Sequence, residues 1–226
     1  MILTSQAYFI GYKPGIRKAA MAEQAFDFDS GALCLDFANT VDWHASEQPQ
    51  DSLQEYSDLL AWGMAAGIID RNRSSMMRVI ADAYPSGAAT AFERGVNLRE
   101  AIYRIFVKQA AEQAVDADDV AILNQALHNT RAHLQVVTGK DGFATTWQVE
   151  DNDLEQVLWA VARSAADLLT SDKLDRVRQC ADDRGCGYLF IDTSRNRSRR
   201  WCSMETCGNR AKARRHYRRQ TAEVEG

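Results

Sequence analysis

Residues 180–219 read CADDRGCGYLFIDTSRNRSRRWCSMETCGNRAKARRHYRR. This stretch holds four of the chain's five cysteines, Cys180, Cys186, Cys202 and Cys207, spaced C-x5-C and C-x4-C with 15 residues between the pairs. Two thiolate pairs on short loops supply the four soft donors, each at about 2.3 Å, that a tetrahedral Zn2+ takes. The intervening chain is long enough to turn back as a hairpin. The pair spacings are wider than the common C-x2-C. A four-thiolate site has no open position for an activated water, so a zinc ion here is structural and holds its module folded.

Between the pairs, Tyr188, Phe190 and Trp201 are aromatic, and SRNRS is turn-prone. We expect a strand over 187–191, a basic turn over 193–198 and a returning strand that ends near Trp201. After Cys207 the run GNRAKARRHYRR mixes alanines with basic residues and reads as a helix. A knuckle, a hairpin and a helix that donates a ligand from its first turn make a treble-clef-like module.

On that helix Arg210, Arg214 and Arg218 would share one face, with Arg215 and Arg219 beside it and Lys212 elsewhere. Arg195, Arg197, Arg199 and Arg200 continue the positive surface into the hairpin. Residues 173–219 carry 14 Lys/Arg against 5 Asp/Glu, a net charge of +9, whereas the whole chain has a net charge of −4. A basic end on an acidic body points to a polyanion, with DNA or RNA the matching class. A short arginine-rich helix suits a DNA major groove, although most such charges go to phosphates. The competing reading is a zinc-stapled docking module for an acidic partner or for the chain's own acidic body.

The chain's 226 residues fit one large domain or two ordinary ones, and its composition is that of a globular protein. No apolar run is long enough for a membrane span, and the first residues lack the charge pattern of an export signal. A reducing, cytoplasmic setting follows, in which a cysteine quartet is a metal site rather than two disulfides. Cys34 is then a small buried side chain. Met21 offers a second plausible start, so residues 1–23 are expected to be a flexible extension.

Phe26, Phe28, Leu33, Leu35 and Phe37 alternate with polar residues in part, with a break at Ser30-Gly31, which suggests a strand that leads into a turn or helix and could pair with a later hairpin. Helices are expected over 52–66, 71–84, 90–114, 120–130 and 153–170, from apolar spacing and from breakers such as Gly67 and Pro85. The hairpin strands fall near 133–138 and 143–149, around Gly139-Lys140-Asp141-Gly142. Asp36, Asn39 and Thr40 would share a face cut into an apolar run. This is either a buried hydrogen-bond network or the lining of a ligand pocket, and the network is favoured because buried polar groups must be satisfied. No nucleophile–base pair or phosphate loop is evident, and His128 and His133 do not share a helical face. The chain does not read as an enzyme.

The segments CGYLF (186–190), DTSRN (192–196), SRRWCSM (198–204) and CGNR (207–210) resemble the CGNR-type zinc finger, and CLDFANT (34–40) with the helix that follows resembles the ABATE domain. The resemblance implies a bacterial, stress-induced transcription regulator. It assigns one zinc ion to Cys180, Cys186, Cys202 and Cys207, DNA to the finger and a signal to the first domain. It leaves room for a small-molecule effector and a homodimer, and for location at the nucleoid when DNA is bound. The fold class that follows is α+β, mostly α: a helical N-terminal domain with a small antiparallel sheet over 24–172, the finger over 173–220 and an acidic tail over 221–226. Two alternatives stand beside it: an enzyme or small-molecule-binding protein with a pocket at Asp36, Asn39 and Thr40, and a zinc–thiol redox sensor.

Overall fold

The structure is a computed structural model and describes residues 26–139, 142–150 and 152–224, without the side chains of 139, 218, 219 and 221–224. The expected N-terminal extension, the centre of the hairpin turn, the side chains of Arg218, Arg219 and residues 221–224, and residues 225–226 of the expected acidic tail therefore lie outside the described residues.

Helix α1 (Leu33–Ala38) is buried on every face. Phe26 and Phe28 are buried ahead of it, but residues 26–29 form no strand. The expected sheet between this segment and the hairpin is therefore corrected. Alternating apolar residues mark a strand only where one face meets water, and here a wholly buried helix produces the same pattern. The turn into α1 is closed by the Asp36 carboxylate, which accepts from the Ser30 amide at 3.1 Å.

Strands β1 (Val41–Asp42) and β2 (Gln50–Asp51) pair antiparallel. Helix α2 (Tyr56–Ala65) begins where Asp58 accepts from the amides of Gln54 and Glu55 at 2.8 and 3.1 Å. Asp70 caps α3 (Arg71–Ala83) through the Arg73 amide at 2.7 Å. Helix α4 runs from Pro85 to Ala110, five residues earlier than expected. Pro85 opens it, because the first helical position needs no amide donor. Helix α5 (Ala117–Arg131), the hairpin β3 (Leu134–Gly139)–β4 (Gly142–Trp147) and α6 (Gln156–Leu169) follow.

Helix α1 is the centre, with α4 and α6 packed against it. Leu35, Phe37, Leu98, Ile102, Phe106, Val157 and Val161 are fully buried in this core. Each such side chain contributes roughly 1.5–3 kcal/mol through burial. Arg99 of α4, only 2% exposed, is satisfied by the two Asp51 oxygens, each at 2.7 Å, and by Thr40 Oγ1 at 3.3 Å.

A single 3-10 turn leads to β5 (Val177–Gln179), which pairs antiparallel with β6 (Leu189–Ile191). A π-helical turn (Met204–Gly208) then opens α7 (Asn209–Val224). The finger's hairpin is not the expected one. β6 pairs backwards with β5 across the first cysteine loop, and residues 198–202 form no strand. Asp192, fully buried, accepts from the amides of Ser194 and Arg199 at 2.8 and 3.0 Å, so the chain after β6 folds into a tight turn instead. Strand β6 serves two cores by simple alternation: Leu189 and Ile191 enter the core of α1, α4 and α6, while Phe190 faces the cysteines.

Candidate metal centre and basic surface

Cys180 follows β5, and Cys186 ends the loop that returns to β6. That loop turns on Gly185 (φ +87°) and Gly187 (φ +71°), and a Cβ would lie 2.6 Å from the Ala45 carbonyl oxygen at the first and 2.6 Å from the Tyr103 hydroxyl at the second. Both positions demand glycine by conformation and by space. Cys202 lies beyond the Asp192 turn, and Cys207 sits in the π-helical turn that starts α7.

The four sulfurs lie within 4.8 Å of one another, with Cys186–Cys202 at 3.8 Å and Cys202–Cys207 at 3.5 Å. Tetrahedral thiolates at about 2.3 Å from Zn2+ would stand about 3.8 Å apart. Among the described residues this is the one such cluster of metal-ligating side chains. The quartet fits one structural Zn2+.

Taken as thiols, the four compete for protons. Hydrogen bonds from Cys186 and Cys202 pull the Cys180 pKa down to about 2, and the same thiolate pushes Cys186 up to about 12 and Cys202 higher still. Burial raises Cys207. One negative charge is readily held here and four are not, unless a cation joins them. Protein donors reach the sulfurs as well, among them the Cys202 amide to Cys180 at 3.4 Å and the Arg210 guanidinium to Cys207 at 2.8 Å.

Asp182, inside the first cysteine loop and buried, ties that loop to α7. It accepts from Arg210 Nε at 3.1 Å and Arg214 Nη2 at 3.0 Å, and Arg214 also pairs with Asp183. Burial works against its charge, but the Arg184 amide and then the Arg214 and Arg210 guanidiniums hold its pKa below the ordinary carboxylate range. Trp43, from the loop between β1 and β2, has the guanidiniums of Arg184 and Arg210 at 5.1 and 5.0 Å from its ring, within reach of a cation–π contact. Its backbone has φ +55°, a costly conformation for a bulky residue.

The arginines expected on one surface therefore divide. Arg210 and Arg214 are half-buried and engaged with Asp182. Arg199 lies over the Phe190 ring at 4.3 Å and donates to the carbonyls of Trp201 and Cys202. Arg195, Arg197, Arg200 and Arg215 are exposed, with Arg200 against its neighbour Trp201.

Asp36, Asn39 and Thr40 are occupied by the backbone and by Arg99. Asp36 holds the Ser30 amide, and Thr40 donates to the Phe37 carbonyl at 2.8 Å. The Asn39 amide donates to Leu189 O at 2.8 Å and accepts from Leu189 N at 2.9 Å, which fastens β6 to the end of α1. Sequence reasoning missed Asp182, Asp192, Trp43 and this role of Asn39. The acids were legible only as charge-reversing residues within basic segments. Nothing in the sequence pairs Trp43 with Arg210.

Residues 31–172 match the model of the ABATE family, described as "Putative stress-induced transcription regulator", and residues 176–220 match that of the CGNR zinc finger. No curated protein matches the chain. Among the described residues no helix is long and apolar enough to cross a membrane. More than half of the chain falls within the first match, so the protein belongs to the ABATE family, and it carries a CGNR zinc finger after that domain.

Proposed function

We propose that this protein is a DNA-binding transcription regulator in which zinc holds a basic surface on DNA and the helical domain over 24–172 receives a signal. The observation that carries this reading is the division of the arginines. Asp182 engages Arg210 and Arg214, and Asp192 anchors the turn after β6. The geometry they build leaves Arg195 and Arg197 exposed on that short turn, Arg200 exposed just beyond it and Arg215 exposed on α7. Residues that only fold the module are paired. The exposed ones remain for phosphates and base edges.

On this reading Cys180, Cys186, Cys202 and Cys207 hold the metal, and zinc supplies the charge that lets four thiolates coexist. Arg210 sets the start of α7 and offsets thiolate charge. The DNA contact is assigned first to the turn after β6 and second to α7, a reversal of the order expected from sequence. The module over 173–220 does not stand apart from the first domain, because Val177, Leu189 and Ile191 lie in the helical core. A change in that core therefore reaches the strand that carries the turn.

Fluorescence anisotropy of the zinc-loaded chain with a labelled duplex tests the proposal. Binding that weakens steeply with salt and is lost on chelation supports it. Binding that survives chelation, or no binding at low salt, overturns it.

A further inference from the structure

Every residue of α6 from Gln156 to Ala162 is buried. Arg163 and Ser164 then break an otherwise apolar run, and both face a cleft of 430 Å3 between α6, the turn before α1, β4 and β6. The volume is within the range of small-molecule sites, and the cleft lies against both the helical domain and Ile191 of the finger's strand. Its apolar lining includes Leu33, Ala160, Leu168 and Ile191.

The polar groups around it are unequal in charge. Arg163 Nη1 is buried without a hydrogen-bond partner. The one carboxylate lining the cleft is Asp167, which is 70% exposed and meets Arg163 Nε only at 3.6 Å. Such an exposed pair along a helix is worth little. Lys173 stands exposed at the rim and makes no ion pair among the described residues. The Ser164 hydroxyl is fixed in place by the Cys34 amide at 3.1 Å. Two cations thus stand against one solvated carboxylate, above apolar walls.

We infer that this cleft binds a small organic monoanion, a carboxylate on a compact apolar body, held by Arg163 and Lys173. A neutral ligand can offer an acceptor but leaves the surplus positive charge unbalanced. A monoanion balances the surplus positive charge and gains charge-assisted hydrogen bonds. The position also gives binding a consequence. Ile191 N–H is bonded to Ser30 O at 2.7 Å, so a ligand in the cleft presses on the seam where the finger's strand meets the turn before α1. This deepens the proposed function by naming the class of signal, and depends on that reading only for the step from ligand to DNA.

The test is calorimetry and thermal shift on the zinc-loaded full chain with benzoate and hexanoate, each against its neutral amide, benzamide and hexanamide. Loss of a charge-assisted bond should weaken each amide about tenfold or more relative to its acid. Arg163→Gln should abolish that preference, and Lys173→Gln, at an exposed residue that leaves the fold intact, should reduce it, both at unchanged zinc content. Equal binding of acid and amide, a preference that survives both substitutions, or no binding of either acid at millimolar concentration overturns the inference. Binding is read without DNA, so a chain that binds carboxylates but not DNA contradicts only the proposed function, and the converse contradicts only the inference.

Discussion

Asn39 grips both backbone groups of Leu189, accepting from its N–H at 2.9 Å and donating to its C=O at 2.8 Å. One side chain at the end of α1 thereby completes the hydrogen bonding of a strand 150 residues away. The strand's other edge pairs with β5, so Asn39 stands where a third strand would.

Asn39→Ala leaves a buried amide and a buried carbonyl without partners. Allowing for the half-buried position of Asn39, a loss of about 2 kcal/mol is expected in urea unfolding of the zinc-loaded protein. Asn39→Asp keeps the acceptor, loses the donor and places a carboxylate against a carbonyl, so it should be at least as damaging. Wild-type stability in Asn39→Ala would show that this side chain does not hold β6 in place.

Asp182 and Arg210 should matter for metal retention rather than for DNA as such. Asp182→Asn weakens the tie between the first cysteine loop and α7, and Arg210→Ala removes the donor to Cys207. Both variants should release zinc to a chromophoric chelator several-fold faster than wild type, as substitutions around metal ligands commonly do. Unchanged release in both would mean that the arginine and the aspartate are bystanders.

Much of this was readable in the residues, and what escaped has physical reasons. The cysteine spacing, the helices from 56 to 169 and the β3–β4 hairpin follow from periodicity and breakers. The Phe26–Leu35 run misled because a helix buried all round erases the contrast that separates period 2 from period 3.6. The second strand of the finger's hairpin was misplaced because three-residue strands are defined by their partner rather than by their own composition. The arginines read as one surface because net charge is additive and pairing is not. Asp182 and Asp192 are few against fourteen basic residues, yet they decide which of those residues face water.

Glu100 gives a pH signature. Burial opposes its charge, but the His44 hydrogen bond and the charges of His44 and Arg99 outweigh it and lower its pKa from 4.5. A carboxylate held below its unfolded value contributes stability that is present above that value and lost as pH falls through the lower folded one. The stability gap between wild type and Glu100→Gln should therefore narrow as pH falls below 4.5. A gap that widens over that range would contradict the assignment.

The most direct measurement compares two arginine sets in one DNA titration against salt. Arg195→Ala/Arg197→Ala/Arg200→Ala should bind zinc as wild type does and bind DNA more weakly. Its slope of log affinity against log salt should be shallower by about 2–3, near 0.9 for each phosphate that is no longer neutralised. Arg214→Ala, whose guanidinium is engaged with Asp182 and Asp183, should keep nearly the wild-type slope whenever zinc is bound. A triple variant with the wild-type slope, or Arg214→Ala with the larger loss, would place the DNA on α7 and contradict the account.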